Sequence, residues 1–232
     1  MSWLTGSPRR IGGLVAGVIV VAGALVAGGV VHQSAVRKAS ASETVQTPSL
    51  MGTKPVAVAI GDSIMDGHGL TAAQAWPALV AKTQGWSLDN LASDGTGYVQ
   101  LGNDDDTFQA QADQAVKLDP SVVLLSGSTN DLGESQTEVD AATDELVSTV
   151  SKSLPGAVIV GVNTFWGDTT PPAQVAAIDS HFKAAVLAAG GTWIDVGQPL
   201  AGRADLMQSD DVHPTAAGQK ILAATISAKL AA

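Results

Sequence analysis

Five short runs of apolar, largely β-branched residues alternate with longer stretches of helical spacing from residue 55 to the C-terminus. Val56-Ala57-Val58-Ala59-Ile60 and Ser121-Val122-Val123-Leu124-Leu125 are apolar at consecutive positions, the pattern of strands buried on both faces. Ala157–Val162 repeats it, Thr192–Val196 is a shorter version, and Ser87–Leu91 is a weaker strand candidate. Helical spacing covers 72–83, where Trp76, Leu79 and Val80 share a face, then 107–116, 137–154, 172–189 and 214–230. Asp119-Pro120, Pro155-Gly156 and Gly190-Gly191 punctuate these segments. Strands alternating with helices imply right-handed crossovers and a parallel sheet covered on both faces. The expected fold class is therefore α/β: a three-layer α/β/α sandwich with about five strands.

Several of the strands end in polar clusters. The first runs into Gly61-Asp62-Ser63, the second into Ala92-Ser93-Asp94-Gly95-Thr96-Gly97-Tyr98, the third into Ser126-Gly127-Ser128-Thr129-Asn130-Asp131, and the fourth into Asn163-Thr164-Phe165-Trp166. The last helix is entered after Asp210-Asp211-Val212-His213. Ligands of open α/β sheets bind beyond the carboxyl ends of the strands, so all these loops fall at the functional end. A flavodoxin-like strand order of 2-1-3-4-5 puts the first and third strand ends beside the switch-point crevice. By itself, Asp62-Ser63 also reads as a turn or a helix cap.

The first forty residues differ from the rest. Ile11–Val31 is a 21-residue run without a charge, preceded by Arg9-Arg10, long enough to cross a bilayer core of about 30 Å. It reads either as an uncleaved signal anchor or as a signal peptide cut after Ala39-Ser40-Ala41. The expected organisation is 1–41 as signal peptide or membrane anchor, 42–54 as a Ser/Thr/Pro-containing linker, and 55–232 as one domain outside the cytoplasm, either secreted or tethered to the membrane through 1–41.

Charge narrows the partners. Of 12 basic residues, four (Arg9, Arg10, Arg37, Lys38) precede residue 42, leaving 8 against 22 acids and a formal charge of −14. Such a domain repels phosphate backbones, so no nucleic-acid partner is expected. With no cysteine, thiol nucleophiles and cysteine-ligated zinc are excluded. The four histidines show no ligand spacing, and Asn103-Asp104-Asp105-Asp106 lacks the EF-hand pattern, so neither a metal nor a cofactor is expected and that turn reads as a solvated cap for the following helix.

Nucleophilic serine chemistry needs a hydroxyl, a base, an orienting carboxylate and oxyanion donors. Ser63, His213, Asp210, Gly95 and Asn130 offer these from four loops at one end of the sheet. The blocks Gly61-Asp62-Ser63, Gly95, Gly127-x-x-Asn130-Asp131 and Asp210-x-x-His213-Pro214 resemble the four blocks of the SGNH (GDSL-type) hydrolase superfamily, over residues 55–230. That resemblance implies a flavodoxin-like fold and a serine hydrolase of carboxylic esters. Ser63 would be nucleophile and His213 base, with Asp210 orienting it in preference to Asp211. The oxyanion hole would be the N–H groups of Ser63 and Gly95 and the side chain of Asn130, with Asn103 a weaker candidate.

Other residues read more plainly. His68, in a Gly-His-Gly turn, is expected at the pocket rim or in solvent rather than as a rival base. His181 is expected on the surface, Asp62 bracing its turn, Asp131 capping or bracing its own loop, and Trp166 either in the core or lining an acyl pocket. No Gly-x-Ser-x-Gly elbow is present, which separates the chain from α/β-hydrolases. Ile60-Gly61-Asp62-Ser63-Ile64 also resembles a phosphopantetheine attachment site, but carrier domains are small helical bundles. The expected substrate is a small-molecule or glycan ester carrying a short acyl group, and the expected state is a monomer. An O-acyltransferase or glycan-binding protein of the same fold is the alternative.

Overall fold

The computed structural model describes residues 53–231. The apolar run Ile11–Val31 and most of the 42–54 linker lie outside the described residues, among which no helix is long and apolar enough to cross a membrane.

Five parallel strands form one sheet: β1 (Val56–Ile60), β2 (Ser87–Asn90), β3 (Val122–Ser126), β4 (Val158–Val162) and β5 (Thr192–Ile194), in the order β2-β1-β3-β4-β5. This is the order anticipated above, with β1 and β3 paired from Ala57↔Val122 to Ile60↔Leu125. Among the described residues six α-helices accompany the sheet: α1 (Ser63–Asp66), α2 (Trp76–Gln84), α3 (Phe108–Leu118), α4 (Gln136–Ser153), α5 (Ala173–Ala188) and α6 (Ala216–Leu230).

The period-two alternation of the strands divides the core in two. Ala57, Ala59, Val122, Leu124, Val160 and Val162 pack with Trp76 and Val80 of α2 and Leu222 and Ile226 of α6. Val58, Ile60, Val123, Leu125 and Ile159 face the other way, onto Phe108 of α3, Leu146 and Val150 of α4, and Ile178 and Phe182 of α5. Consecutive apolar positions thus arise because each strand must satisfy helices on both sides. β2, at the edge, is only half covered, which is why its sequence, Ser-Leu-Asp-Asn, gave a weak strand signal.

β5 stops at Ile194 rather than Val196, and three helices depart from the sequence reading by more than one residue. The helix expected over 72–83 is split: Ala72–Gln74 form a 3-10 turn, Ala75 is extended, and α2 begins at Trp76. Pro77 has no N–H for the carbonyl of residue 73, so one helix cannot run through. α6 starts at Ala216 rather than Pro214, because Pro214 pairs with Met207 and Thr215 caps the helix, its hydroxyl accepting from the N–H of Gly218 at 3.3 Å. α3 starts at Phe108 after Thr107, whose side chain makes no capping bond, and runs to Leu118, where Asp119 turns left-handed (φ 45°) before Pro120.

Candidate active site

Ser63 is the first residue of α1, separated from the end of β1 by Gly61 and Asp62. Asp62 Oδ1 accepts from the N–H of Ile64 at 3.0 Å, so the capping function expected of Asp-Ser belongs to Asp62, and Ser63 is left free. Two buried glutamines fix this corner. Gln111 of α3 accepts from Gly61 N–H at 2.9 Å and donates to Gly61 O at 3.1 Å. Gln219 of α6 donates to Ile64 O at 2.9 Å and accepts from Trp76 N–H at 2.8 Å, tying α1 to α2 and α6.

His213 arrives on the turn before α6, 150 residues later. Its Nε2 lies 2.9 Å from Ser63 Oγ, and its Nδ1 lies 2.8 Å from Asp210 Oδ2. An ionised carboxylate only accepts, so the bond to Asp210 places the ring proton on Nδ1 and leaves the Nε2 lone pair facing the serine hydroxyl. Asp210 Oδ1 takes the N–H groups of Val212 and His213, both at 3.0 Å. These backbone bonds, with the His213 side chain, hold its carboxyl well below the usual range. Asp211 does not join this chain: its backbone is left-handed (φ 59°) and it lines a neighbouring cavity.

Gly95 is left-handed (φ 79°), a conformation in which a side chain would be strained, and its N–H, like that of Ser63, makes no backbone hydrogen bond among the described residues. Asn130 Nδ2 donates one hydrogen to Thr96 O at 2.8 Å, which orients the amide and leaves its second hydrogen available. Ser63, Gly95, Asn130 and His213 share the lining of a cavity of about 200 Å³ with Ile64, His68, Asp94, Asn103, Thr129 and Val212. Asn103, despite its acidic turn, also faces it. A second cavity of about 380 Å³ adjoins through Ile64, Thr129 and Val212 and continues past Phe165, Trp166, Asp168, Thr169 and Asp211. Phe165 is core, while Trp166 is half-buried, its indole N–H held by Thr169 Oγ1 at 2.8 Å.

Asp131 does not brace its own loop but the one after β2. Fully buried, it accepts from Tyr98 N–H at 2.8 Å and from the N–H groups of Val99 and Gln100, both at 3.0 Å. A Cβ on Gly97 would lie within 2.6 Å of this carboxyl group, so glycine is what admits it. The acidic turn is likewise not a simple helix cap: Asp106 accepts from Ser93 Oγ at 3.1 Å and Gln111 Nε2 at 3.2 Å. His181, half-buried on α5, meets Asp144 of α4 at 2.9 Å.

His68 lies at the rim of the smaller cavity, as anticipated, and it stacks on His213 with ring centroids 4.1 Å apart and planes 26° from parallel. Potential ligand atoms of His68, Asp210 and His213 come within 4.8 Å of one another. Stacked imidazoles, however, direct their in-plane lone pairs side by side rather than onto one point, and Asp210 and His213 are already bonded to each other. The trio is a hydrogen-bonded pair with a stacked neighbour, not a converging ligand set.

Two carboxyl groups, one buried and one half-buried, make stability pH-dependent. Burial pushes Asp62 up to about 6, against opposing hydrogen bonds from Ser128, Ile64 and Met65. Burial also pushes Asp179 of α5 up to about 6, although its Oδ1 accepts from the N–H and hydroxyl of Thr164 at 2.8 and 2.7 Å. In both, the folded state holds its proton more tightly than the unfolded chain, so their stabilisation is complete below about 3.8 and is lost as pH rises through about 6. Asp179→Asn keeps an acceptor for Thr164 and removes the titration. It is expected to flatten the fall in urea-unfolding free energy between pH 4 and 7 by about 1–2 kcal/mol, less than the full linkage value because the residue is only half-buried and solvent screens part of the effect. An unchanged slope would show that Asp179 titrates normally.

Residues 59–221 match the model of the GDSL-like lipase/acylhydrolase family. A GDSL lipase of Mycobacterium tuberculosis is 29% identical over 188 residues, covering 75% of this chain and 80% of that protein. The esterase EstA of a Pseudoalteromonas species, solved with monoethylphosphonate, superposes with a TM-score of 0.63 at 18% identity, over 77% of this chain and 97% of that one. A family two carbohydrate esterase of Clostridium thermocellum gives 0.62 at 18% identity, over 77% and 64%. The salicylyl-acyltransferase SsfX3 of a tetracycline biosynthetic pathway gives 0.59 at 22%, over 78% and 56%.

Proposed function

Given that the chain belongs to the GDSL-like lipase/acylhydrolase family and is a carboxylic ester hydrolase, we propose that it cleaves short acyl esters through an acyl-enzyme on Ser63. The observation that carries this reading is the continuous chain from Ser63 Oγ through both nitrogens of His213 to Asp210, opening onto a small cavity.

As Ser63 Oγ attacks the acyl carbon, His213 Nε2 takes its proton, and Asp210 stabilises the imidazolium without itself being protonated. The carbonyl oxygen becomes an oxyanion facing the N–H groups of Ser63 and Gly95 and the second amide hydrogen of Asn130. One such donor is commonly worth about 3 kcal/mol of barrier. The ester C–O bond breaks, and the alcohol leaves with the proton from His213. Water then attacks the acyl-serine with His213 again as base, giving the acid and free Ser63.

The cavity of about 200 Å³ around Ser63 suits a short acyl group. The larger cavity combines the ring of Trp166 with the carboxylates of Asp168 and Asp211, chemistry that favours a hydroxyl-bearing alcohol such as a glycan over an alkyl chain. Arg9-Arg10 before the apolar run supports a location outside the cytoplasm, secreted or anchored. Mature protein recovered from the cytosol with residues 1–41 intact would contradict that location.

The test is hydrolysis of p-nitrophenyl esters of graded chain length by the full chain and by Ser63→Ala, with mass spectrometry after phosphonate treatment. Acetate and butyrate are expected to turn over, longer chains progressively less, and the phosphonate to add once, on Ser63. Undiminished hydrolysis by Ser63→Ala overturns the mechanism. Acyl products formed with added sugars but not with water would move the assignment to transfer.

A further inference from the structure

A second imidazole–carboxylate pair is packed against the first, and the proposed reaction steps do not use it. His68 Nδ1 lies 2.5 Å from Asp94 Oδ2, while the face of its ring stacks on His213. The other oxygen of Asp94 is buried with no hydrogen-bond partner among the described residues, so His68 is the partner on which that carboxylate depends. Asp94 immediately precedes Gly95, and its carbonyl accepts from Asn103 N–H at 2.9 Å.

His68 is also joined by its backbone to the other parts of the site. Its N–H donates to the carbonyl of Ser63 at 3.0 Å. Its carbonyl accepts at 2.8 Å from Gln208 Nε2, which also donates to Pro214 O at 3.1 Å, while Gln208 N–H donates to His213 O at 2.7 Å. One residue therefore touches the nucleophile's helix, the face of the base and the residue before Gly95.

The need for such a residue follows from how His213 is held. Its tether to Asp210 is made on a turn whose acid has a side chain 41% exposed. One bond at Nδ1 leaves the ring free to tilt about it, and tilting carries Nε2 away from Ser63. A fixed aromatic face removes that freedom.

We propose that His68 is a positioning residue: anchored on Asp94, its ring sets the tilt of His213 and ties the base to the loop that presents Gly95. This rests on the reading of His213 as the base. The hydrogen bond fixes the His68 ring, and the fixed ring fixes His213, so the two contacts act in series.

Two variants separate the contacts. His68→Phe keeps an aromatic face but cannot bond to Asp94; His68→Gln keeps a donor for Asp94 but has no ring. Each is expected to lower kcat roughly tenfold, with KM within about twofold; Tm should hold in His68→Gln and fall modestly in His68→Phe, which leaves Asp94 without its partner. The rate at which a phosphonate ester labels Ser63 should fall in parallel, since it needs the same base. Adding Asp94→Ala to His68→Phe should cost nothing further.

Wild-type kcat in both variants overturns the proposal, as does a loss confined to KM and Tm, which would mark a purely structural residue. Ser63→Ala and His213→Ala are assayed alongside. If they stay active, the underlying reading of the site fails; if they are inactive while the His68 variants match wild type, this inference alone fails.

Discussion

His213→Ala is expected to lower kcat on p-nitrophenyl acetate by on the order of 10⁴–10⁶, with KM little changed, because the lost interaction exists only on the way to the transition state. The size follows from the geometry. Ser63 Oγ is held 2.9 Å from Nε2, and no other imidazole is bonded to it among the described residues. Asp210→Ala is expected to cost less, about 10²–10⁴. Of the imidazole ring Asp210 touches only the nitrogen remote from Ser63, and its 41% exposed side chain leaves a place where water can replace part of the hydrogen bond. Combining Ser63→Ala with His213→Ala should cost about as much as either alone, since the two act as one unit. Asp211→Ala distinguishes the adjacent acids: it sits outside the chain of bonds and should leave kcat within a few-fold. More than a tenth of wild-type activity in His213→Ala would move the base elsewhere. His68→Ala on top of it would then show whether the stacked neighbour had taken over.

The layers of the fold were legible because the sheet is parallel and central. Strands covered on both faces must be apolar at every position, and β1, β3 and β4 carry that signature in consecutive letters. Their order followed from the crossover rule together with one topological template. What periodicity missed was local. Apolar spacing over 72–83 is continuous, and only the missing N–H of Pro77 divides it. At 214–216 the chain gives up a helical turn because Leu206 O accepts from both the N–H and the hydroxyl of Thr215, at 2.7 and 3.0 Å.

At the site the division is similar. Ser63, Gly95, Asn130, Asp210 and His213 were nameable because each follows a strand or enters a helix at one end of the sheet, and because their short blocks resemble a known superfamily. The structure brings all five to one cavity or its edge. The residues that hold them there were not visible. Gln111 acts across 50 residues, Gln219 across 155 and Gln208 across 140. A buried glutamine on an amphipathic helix looks in sequence like one more polar position. Its only advance sign is that it falls on the apolar face, as Gln111 does beside Phe108, Ala112 and Ala115. His68 read as a rim or solvent residue, of which the structure selects the rim, and its stacking on His213 depends on two loops about 145 residues apart, which no local pattern encodes.

Asp131 gives the second large effect, on the fold around the site rather than on the chemistry itself. Its carboxylate is completely buried and satisfies three consecutive backbone N–H groups, those of Tyr98, Val99 and Gln100. A chain that turns through Gly95–Gln100 cannot pair these donors with a strand, so one side chain 31–33 residues away serves in place of a ladder. Asp131→Ala leaves the buried Tyr98 N–H facing a cavity and takes the acceptor from the part-buried N–H groups of Val99 and Gln100. A buried donor without a partner costs about 1–3 kcal/mol, and partial relaxation keeps the three from adding fully. With one donor buried and two within reach of water, the expected loss in urea unfolding is about 2–4 kcal/mol, a large share of the stability of a domain this size. Asp131→Asn retains one acceptor oxygen and turns a donor toward the same N–H groups, so it should recover less than half. Activity should fall with stability, because the loop that relaxes carries both Gly95 and the Thr96 carbonyl that orients Asn130. If Asp131→Ala unfolds within 1 kcal/mol of wild type, the three bonds are not what holds this loop. If it is destabilised but keeps full kcat below its melting range, the loop's position does not depend on them during turnover.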